Sequence, residues 1–226
     1  ATIITVVFVA ITVVLTFIIS MTLALILNTE VVGARFLRSI MMIPWVIPTV
    51  IAGLLWAWIY ANPYGLLQYL VNIFSDGAIT DFGMLNNSNT ALWGVIIAAL
   101  WKQIPLIALL LLSGMQSIPD DIIEAAKIDG ANYWKCLFNV ILPHIKSVIA
   151  VTMSMCIIEN FKQYPLFATL TNGGPNGATT TFAVLSYDEA FINFNYGSGA
   201  AVTTVWLLLM VIVVFVFNRF FKMEKG

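Results

Sequence analysis

Five long apolar runs constrain this chain more than any other feature. They cover residues 2–27, 39–61, 91–115, 145–170 and 199–221, and each exceeds the roughly 20 residues that carry an α-helix across a hydrocarbon core. Lipid offers no water to a peptide group, so only helices and closed barrels satisfy every N–H and C=O there. The runs lack the polar–apolar alternation of a barrel strand. The expected fold class is therefore all-α, a polytopic membrane helical bundle with five spans forming a single transmembrane domain over residues 1–226. Composition agrees, since 61% hydrophobic and 9% charged residues lie outside the balance of a soluble domain.

Orientation follows from the basic residues. Arg35 and Arg38 fall between the first and second runs, Lys127, Lys135 and Lys146 between the third and fourth or at their edge, and Arg219, Lys222 and Lys225 close the chain. The connections 62–90 and 171–198 contain no Lys or Arg. By the positive-inside rule the segment 116–143 and the C-terminus are expected in the cytoplasm and Ala1 outside. A chain that opens directly in a span with its start outside is expected to lack an earlier segment.

The segment between the third and fourth runs, DDIIEAAKIDGANYWKCLFNVILP from Asp120 to Pro143, has its own pattern. Ile122, Ile123 and Ala126 mark one helical face, and Asp120 or Asp121 is placed to cap its start after Pro119. Gly130 permits a turn. Trp134, Leu137, Phe138 and Ile141 then recur at helical spacing, and this second helix is expected to stop before Pro143. The spacing predicts a helix–turn–helix hairpin.

That hairpin resembles the EAA loop of permease subunits in binding-protein-dependent, ATP-driven importers, on Glu124, Ala125, Ala126, Asp129, Gly130, Ala131, Trp134, Leu142 and Pro143. Leu137 stands where the family usually has Phe, with Phe138 one place later, and Val140 replaces a common Ile. The stretch 36–70, with the Asn62-Pro63-Tyr64-Gly65 turn, resembles the upstream permease of the maltose and glycerol-phosphate type. So do Leu170-Thr171-Asn172-Gly173-Gly174-Pro175 and the segments 179–181 and 187–196. The resemblance implies a sixth N-terminal span with both ends inside, in a bacterial or archaeal cell (inner) membrane. It also implies partners: a second homologous permease, a cytoplasmic ATPase dimer docked on residues 116–143, and an extracellular or periplasmic solute-binding protein. ATP and Mg would be bound by those partner subunits, leaving this chain without a cofactor. The expected coupling residues are Glu124, Ala125, Ala126, Asp129, Gly130, Ala131 and Pro143. The expected solute is a small-molecule sugar, an oligosaccharide or related polyol, moved by alternating access.

The second span opens on Pro44 and Pro48, which should kink or unwind that half of it, while Trp56, Trp58 and Tyr60 are expected at the outer interface. Ionisable groups fall inside two spans. Lys102 and Gln103 lie near the middle of the third; Glu159, Asn160, Lys162, Gln163 and Tyr164 lie in the outer half of the fourth. A central charge costs about 2.5–3.5 kcal/mol on insertion scales, so such groups face a polar interior or a partner. One reading is structural: Glu159 pairs with Lys162 three residues on, and Lys102 bonds a carbonyl opened by Pro105. The other is a hydrophilic solute path beside helices broken at Pro105 and Pro165. Two intramembrane lysines keep an anionic solute open, such as a sugar acid or glycerol phosphate.

Enzymatic chemistry is not expected. His144 is the only histidine and sits at the predicted membrane surface, so no buried catalytic triad has its base. No phosphate-binding Gly-x-x-x-x-Gly-Lys-Ser/Thr occurs, and Gly197-Ser198-Gly199 reads as the start of a span. Cys136 and Cys156 form neither a disulfide framework nor a metal spacing, leaving them as small packing residues with no metal expected. Scattered basic residues exclude a nucleic-acid partner. A channel or passive carrier would share the spans but has no use for a docking hairpin, and a sensor or scaffold would show no solute flux.

Overall fold

A computed structural model describes residues 1–29, 33–79 and 81–222, without the side chains of residues 34, 35, 221 and 222. Lys225 lies outside the described residues, as do the side chains of Arg35 and Lys222. Helices α1 (Thr2–Leu27), α2 (Ala34–Met41), α3 (Ile43–Val46), α4 (Thr49–Ile59) and α5 (Leu66–Phe74) form the first half. Helices α6 (Ala91–Gln116), α7 (Asp120–Ile128) and α8 (Tyr133–Cys136) follow, then a π-helical turn over Leu137–Ile141 and α9 (Leu142–His144). The chain closes with α10 (Lys146–Phe161), α11 (Pro165–Leu170), α12 (Phe182–Tyr187), a second π-turn over Asp188–Ile192, and α13 (Tyr196–Lys222). The architecture is all-helical among the described residues.

Helices α1, α6 and α13 are each long and apolar enough to cross a membrane, and the count reaches five if each of two bent helix pairs is one span. The centre of the bundle is the α1–α6 contact. Thr5, Thr12, Thr16, Ser20 and Ala24 form a buried line along α1 at intervals of four or seven. Such small side chains let two helices approach without a hydrophobic driving force, as packing in lipid requires. Ser20 Oγ donates to the Ile104 carbonyl of α6 at 3.1 Å. Two apolar clusters flank this line. One gathers Phe8, Val95, Ile96, Phe161, Leu166 and Phe167; the other gathers Leu27, Ile107, Leu111, Met115, Ile145 and Met153 next to the hairpin.

Among the described basic residues, Arg38, Lys127, Lys135 and Lys146 lie at the hairpin end, whereas Lys102 and Lys162 do not. Arg38 Nη2 donates to the Leu27 carbonyl at 3.1 Å, closing the last turn of α1 where a cation also meets the negative end of the helix dipole. Ser154, at the middle of α10, bonds Asn218 near the end of α13 at 3.2 Å, and Phe217 of α13 packs on the apolar cluster next to the hairpin. The C-terminal end of α13 therefore lies on the hairpin's side of the bundle.

The prolines act as expected in the second span but not in the third. Ile47 is extended (φ −62°, ψ 129°), and the axis turns by 92° between Phe36–Val46 and Thr49–Ile59, because Pro48 has no N–H and disfavours a helical residue before it. By contrast α6 runs unbroken through Pro105, which corrects the expected break there. Pro105 removes one hydrogen bond, and the packing of α6 on α1 outweighs that loss. The fourth run is a 16-residue helix, α10, interrupted at Lys162–Tyr164 and resumed as the short α11, with Pro165 in the first turn of α11.

The aromatic residues expected at the outer end of the second span differ in exposure. Of Trp56, Trp58 and Tyr60, Trp58 alone is exposed; Tyr60 is buried and donates from its hydroxyl to the Gly94 carbonyl at 3.1 Å, and Trp56 packs between Tyr60 and Trp101. Across the next layer, a Cβ on Gly53 would collide with the Thr169 side chain, so the glycine seats α11 directly on the backbone of α4. The Gly173-Gly174-Pro175 turn is tied by its own threonines: Thr179 Oγ1 donates to the Gly174 carbonyl at 2.6 Å, and Thr180 Oγ1 to that of Gly173 at 3.1 Å.

Candidate functional sites

Lys102 and Gln103 are the twelfth and thirteenth of the 26 residues of α6, so they mark its middle. Successive residues on a helix point about 100° apart, and these two reach different neighbours. Lys102 Nζ donates to the carbonyls of Trp45 and Ile47, the groups left open where the second span breaks before Pro48. The expectation of a carbonyl opened by Pro105 is corrected: the ammonium serves another helix. A carbonyl within a span would cost about 1–3 kcal/mol without a partner, and an uncompensated ammonium in lipid about as much again. One contact removes both penalties.

Gln103 reaches α10. Its Nε2 donates to Asn160 Oδ1 at 3.1 Å, and Asn160 Nδ2 donates back to Gln103 Oε1 at 2.8 Å. Asn160 Nδ2 also donates to the Cys156 carbonyl at 2.9 Å, and Asn160 is buried. This reciprocal amide pair fixes the upstream edge of the break in the fourth span at the middle of α6. Both breaks therefore meet α6 at adjacent residues.

Glu159 and Lys162 share a different face. Lys162 Nζ lies 2.9 Å from Glu159 Oε1, and both side chains are 53% exposed. The expected pairing thus forms, on a surface the chain leaves open. Glu159 borders an open groove of about 390 Å³ with Val151, Ser154, Met155, Ile158 and Asn218. On the other side of the break, Tyr164 stacks on Tyr187 with centroids 4.6 Å apart, and Tyr187 on Phe191 at 5.0 Å. Beside them, burial and then the neighbouring Glu189 push the Asp188 carboxyl above the usual carboxylate range. The structure thus separates the sequence candidates: Lys102, Gln103 and Asn160 bond inside the bundle, while Glu159, Lys162 and the Tyr164 stack lie on an accessible surface.

The hairpin forms, with changes at both ends. Pro119 occupies the N-cap of α7 and no side chain caps it. Asp120 and Asp121 lie instead in the first turn, where carboxylates favour the positive end of the helix dipole. The turn follows Asp129, with Gly130 at φ +79° and Ala131 N–H bonded to the Ala126 carbonyl at 3.0 Å. Only glycine adopts that φ without strain. Asn132 then caps α8, its Oδ1 accepting from the Lys135 N–H at 2.9 Å.

Helical structure continues past Pro143, contrary to expectation. The π-turn shifts the bonding so that the Leu142 N–H reaches the Leu137 carbonyl, and Pro143 falls in the first turn of α9, where a missing N–H is harmless. The same shift divides the apolar pattern. Leu137 is buried and Ile141 half-buried, whereas Trp134 and Phe138 are exposed and stacked at 6.2 Å. Ile122 and Ile123 of α7 pack on the adjacent cluster. Glu124, Ala125, Asp129 and Gly130 are exposed, as are Pro143 and His144; Ala126 and Ala131 are half-buried. Cys136 and Cys156 are buried free thiols.

Two features of this surface escaped the sequence reading. Asn218 borders the groove beside Glu159, and its signal was a lone amide in the last apolar run. Tyr187 stacks on Tyr164, and Phe191 packs on Tyr187 in turn; no local sequence pattern brings these rings to Tyr164.

Residues 16–223 match the family described as "Binding-protein-dependent transport system inner membrane component". The chain is 34% identical over 210 residues to the trehalose/maltose transport system permease protein MalF of Thermococcus litoralis, covering 93% of this chain and 70% of that one. It is 33% identical to the trehalose transport system permease protein SugA of Mycobacterium tuberculosis, covering 94% and 66%. It is 34% identical to the sn-glycerol-3-phosphate transport system permease protein UgpA of Agrobacterium fabrum, covering 89% and 68%. The chain thus spans about two thirds of the length of these relatives. Among solved structures, a chain of a bacterial alginate ABC transporter, crystallised with its alginate pentasaccharide-bound periplasmic protein, shares the fold. The TM-score is 0.86 at 19% identity, covering 99% of this chain and 78% of that one.

Proposed function

The chain belongs to the family of binding-protein-dependent transport system inner membrane components, and from that membership we propose that it is the permease subunit of an ATP-driven carbohydrate importer working by alternating access. The observation that carries this reading is the meeting of two broken spans at Lys102 and Gln103, with the Glu159–Lys162 pair left on an open face beside aromatic rings. Transporter sites favour such mid-depth breaks. Charges and amides offer hydrogen bonds to sugar hydroxyls, and Tyr164, Tyr187 and Phe191 offer flat surfaces to the apolar faces of sugar rings.

The names of the relatives support a carbohydrate and leave glycerol phosphate as the second reading. The position of Lys102 favours a neutral oligosaccharide or polyol, because its ammonium already serves two carbonyls and Lys162 is paired with Glu159. In this reading a second homologous permease completes the cavity, and an extracellular or periplasmic solute-binding protein delivers the solute. A cytoplasmic ATPase dimer, which binds ATP and Mg, docks on the exposed face of α7 around Glu124, Ala125, Asp129 and Gly130. Closure of the ATPases then moves the hairpins together and reorients the cavity.

The test is ATPase stimulation of the whole complex, with its binding protein, across a panel of neutral sugars, sugar acids and glycerol phosphate. Stimulation by a neutral oligosaccharide is expected; stimulation by anionic solutes alone selects the second reading, and flux without hydrolysis overturns the importer. Gly130→Leu strains the left-handed turn by about 1–2 kcal/mol, in open space. Normal membrane levels with lost coupling are therefore expected, and unimpaired uptake would remove the hairpin from the mechanism. For orientation, Asn89→Cys and Asn176→Cys should react with impermeant thiol reagents applied to intact cells, and Lys127→Cys should not.

A further inference from the structure

We propose that α5 is a membrane anchor whose outer face lies in the lipid interface beside the second span. At about 100° per residue, Leu66, Tyr69, Leu70, Ile73 and Phe74 fall within one arc of the helix, and all are exposed, Tyr69 by 63% and Phe74 by 86%. The opposite side is fastened. Gln68 is buried, its Oε1 accepting from the Phe82 N–H at 2.6 Å and its Nε2 donating to the Ile79 carbonyl at 3.2 Å, and Leu67 and Phe82 pack on the far-end apolar cluster. The helix therefore has a fixed inner face and an unpartnered apolar outer one. Continuous exposed apolar surface of this kind marks contact with a membrane or a protein.

Position selects the membrane. The Gly65 N–H, at the start of α5, bonds the Ala61 carbonyl at 2.6 Å. One residue earlier, Tyr60 is bonded to Gly94, the fourth residue of the long helix α6. The first turn of α5 is thus held at the level where two spans end, next to exposed Trp58. Composition agrees: α5 contains no Asp, Glu, Lys or Arg, so its contact is apolar and needs no anionic headgroup, unlike the basic helices that bind acidic lipid. The occupant is the boundary between headgroups and acyl chains.

Nitroxide accessibility in the intact membrane complex tests this. Both native cysteines are buried, so labels at Tyr69→Cys and Ile73→Cys, with Asn89→Cys as the water-exposed reference, report their own surroundings. For the two α5 labels, collision with oxygen is expected to exceed collision with an aqueous nickel chelate several-fold, equally in neutral phosphatidylcholine and in phosphatidylglycerol mixtures. Low collision with both reagents would show a protein covering α5, and nickel access like that at Asn89 would show water; either overturns the anchor. So would a requirement for anionic lipid.

Discussion

The second and fourth spans both break beside the middle of α6, yet the two breaks are finished differently. At Ile47–Pro48 the open carbonyls are closed by Lys102 from another helix. At Lys162–Tyr164 one edge is closed by the Gln103–Asn160 amide pair, while the neighbouring Glu159–Lys162 pair stays on the surface with half of each side chain exposed. The first break is internal architecture. The second joins architecture to an accessible polar face. A charged residue inside a span therefore says little by itself: what distinguishes the two is whether the charge completes the backbone or only another exposed charge.

The largest expected effect tests the closed break. Lys102→Gln replaces the ammonium with a shorter amide that does not reach both carbonyls, and each carbonyl left open costs about 1–3 kcal/mol, read as reduced membrane abundance and thermal stability for every solute. Normal abundance with a selective loss of anionic solutes would make Lys102 a recognition residue and erase the contrast between the two breaks.

A smaller effect is expected at the amide pair. Asn160→Leu should strand Gln103 and cost about 1–3 kcal/mol, and adding Gln103→Met should recover part of it. A double-mutant cycle on thermal stability should give a coupling of about 0.5–3 kcal/mol. Strict additivity would mean that the pair does not hold α10 to α6.

The smallest effect on stability should come from the exposed pair. Glu159→Gln combined with Lys162→Gln should change stability by less than about 1 kcal/mol and leave membrane levels near normal, while raising the apparent KM or altering preference among sugars. Unchanged kinetics over the whole panel would remove these residues from the solute path and make both breaks purely structural.

How much of this was legible in sequence depended on whether the physics was local. The first, third and fifth apolar runs matched α1, α6 and α13 within a few residues, because a hydrophobic run in lipid has few alternatives to a helix. Gly130 was legible for the same reason: the Asp129–Gly130 turn fixes its backbone without help from elsewhere. Pro48 and Pro105 were not distinguishable. Each removes one N–H, but Pro105 sits in a helix packed along α1, whereas the chain before Pro48 turns away and finds Lys102. Ile141 and Phe138 shared one sequence pattern until the π-turn separated them.

The sequence by itself determined an all-helical membrane chain, the hairpin with its glycine turn, and the clustering of basic residues on alternate connections. These follow from backbone hydrogen bonding in lipid and from local dihedral preferences. Only the tertiary structure decided that Lys102 closes a break 55 residues away, that Gln103 and Asn160 share two hydrogen bonds, and that Tyr187 and Phe191 stack beside Tyr164. The reason is that a buried polar group is satisfied by whichever donor or acceptor the packing brings near, and no spacing along the chain records that choice.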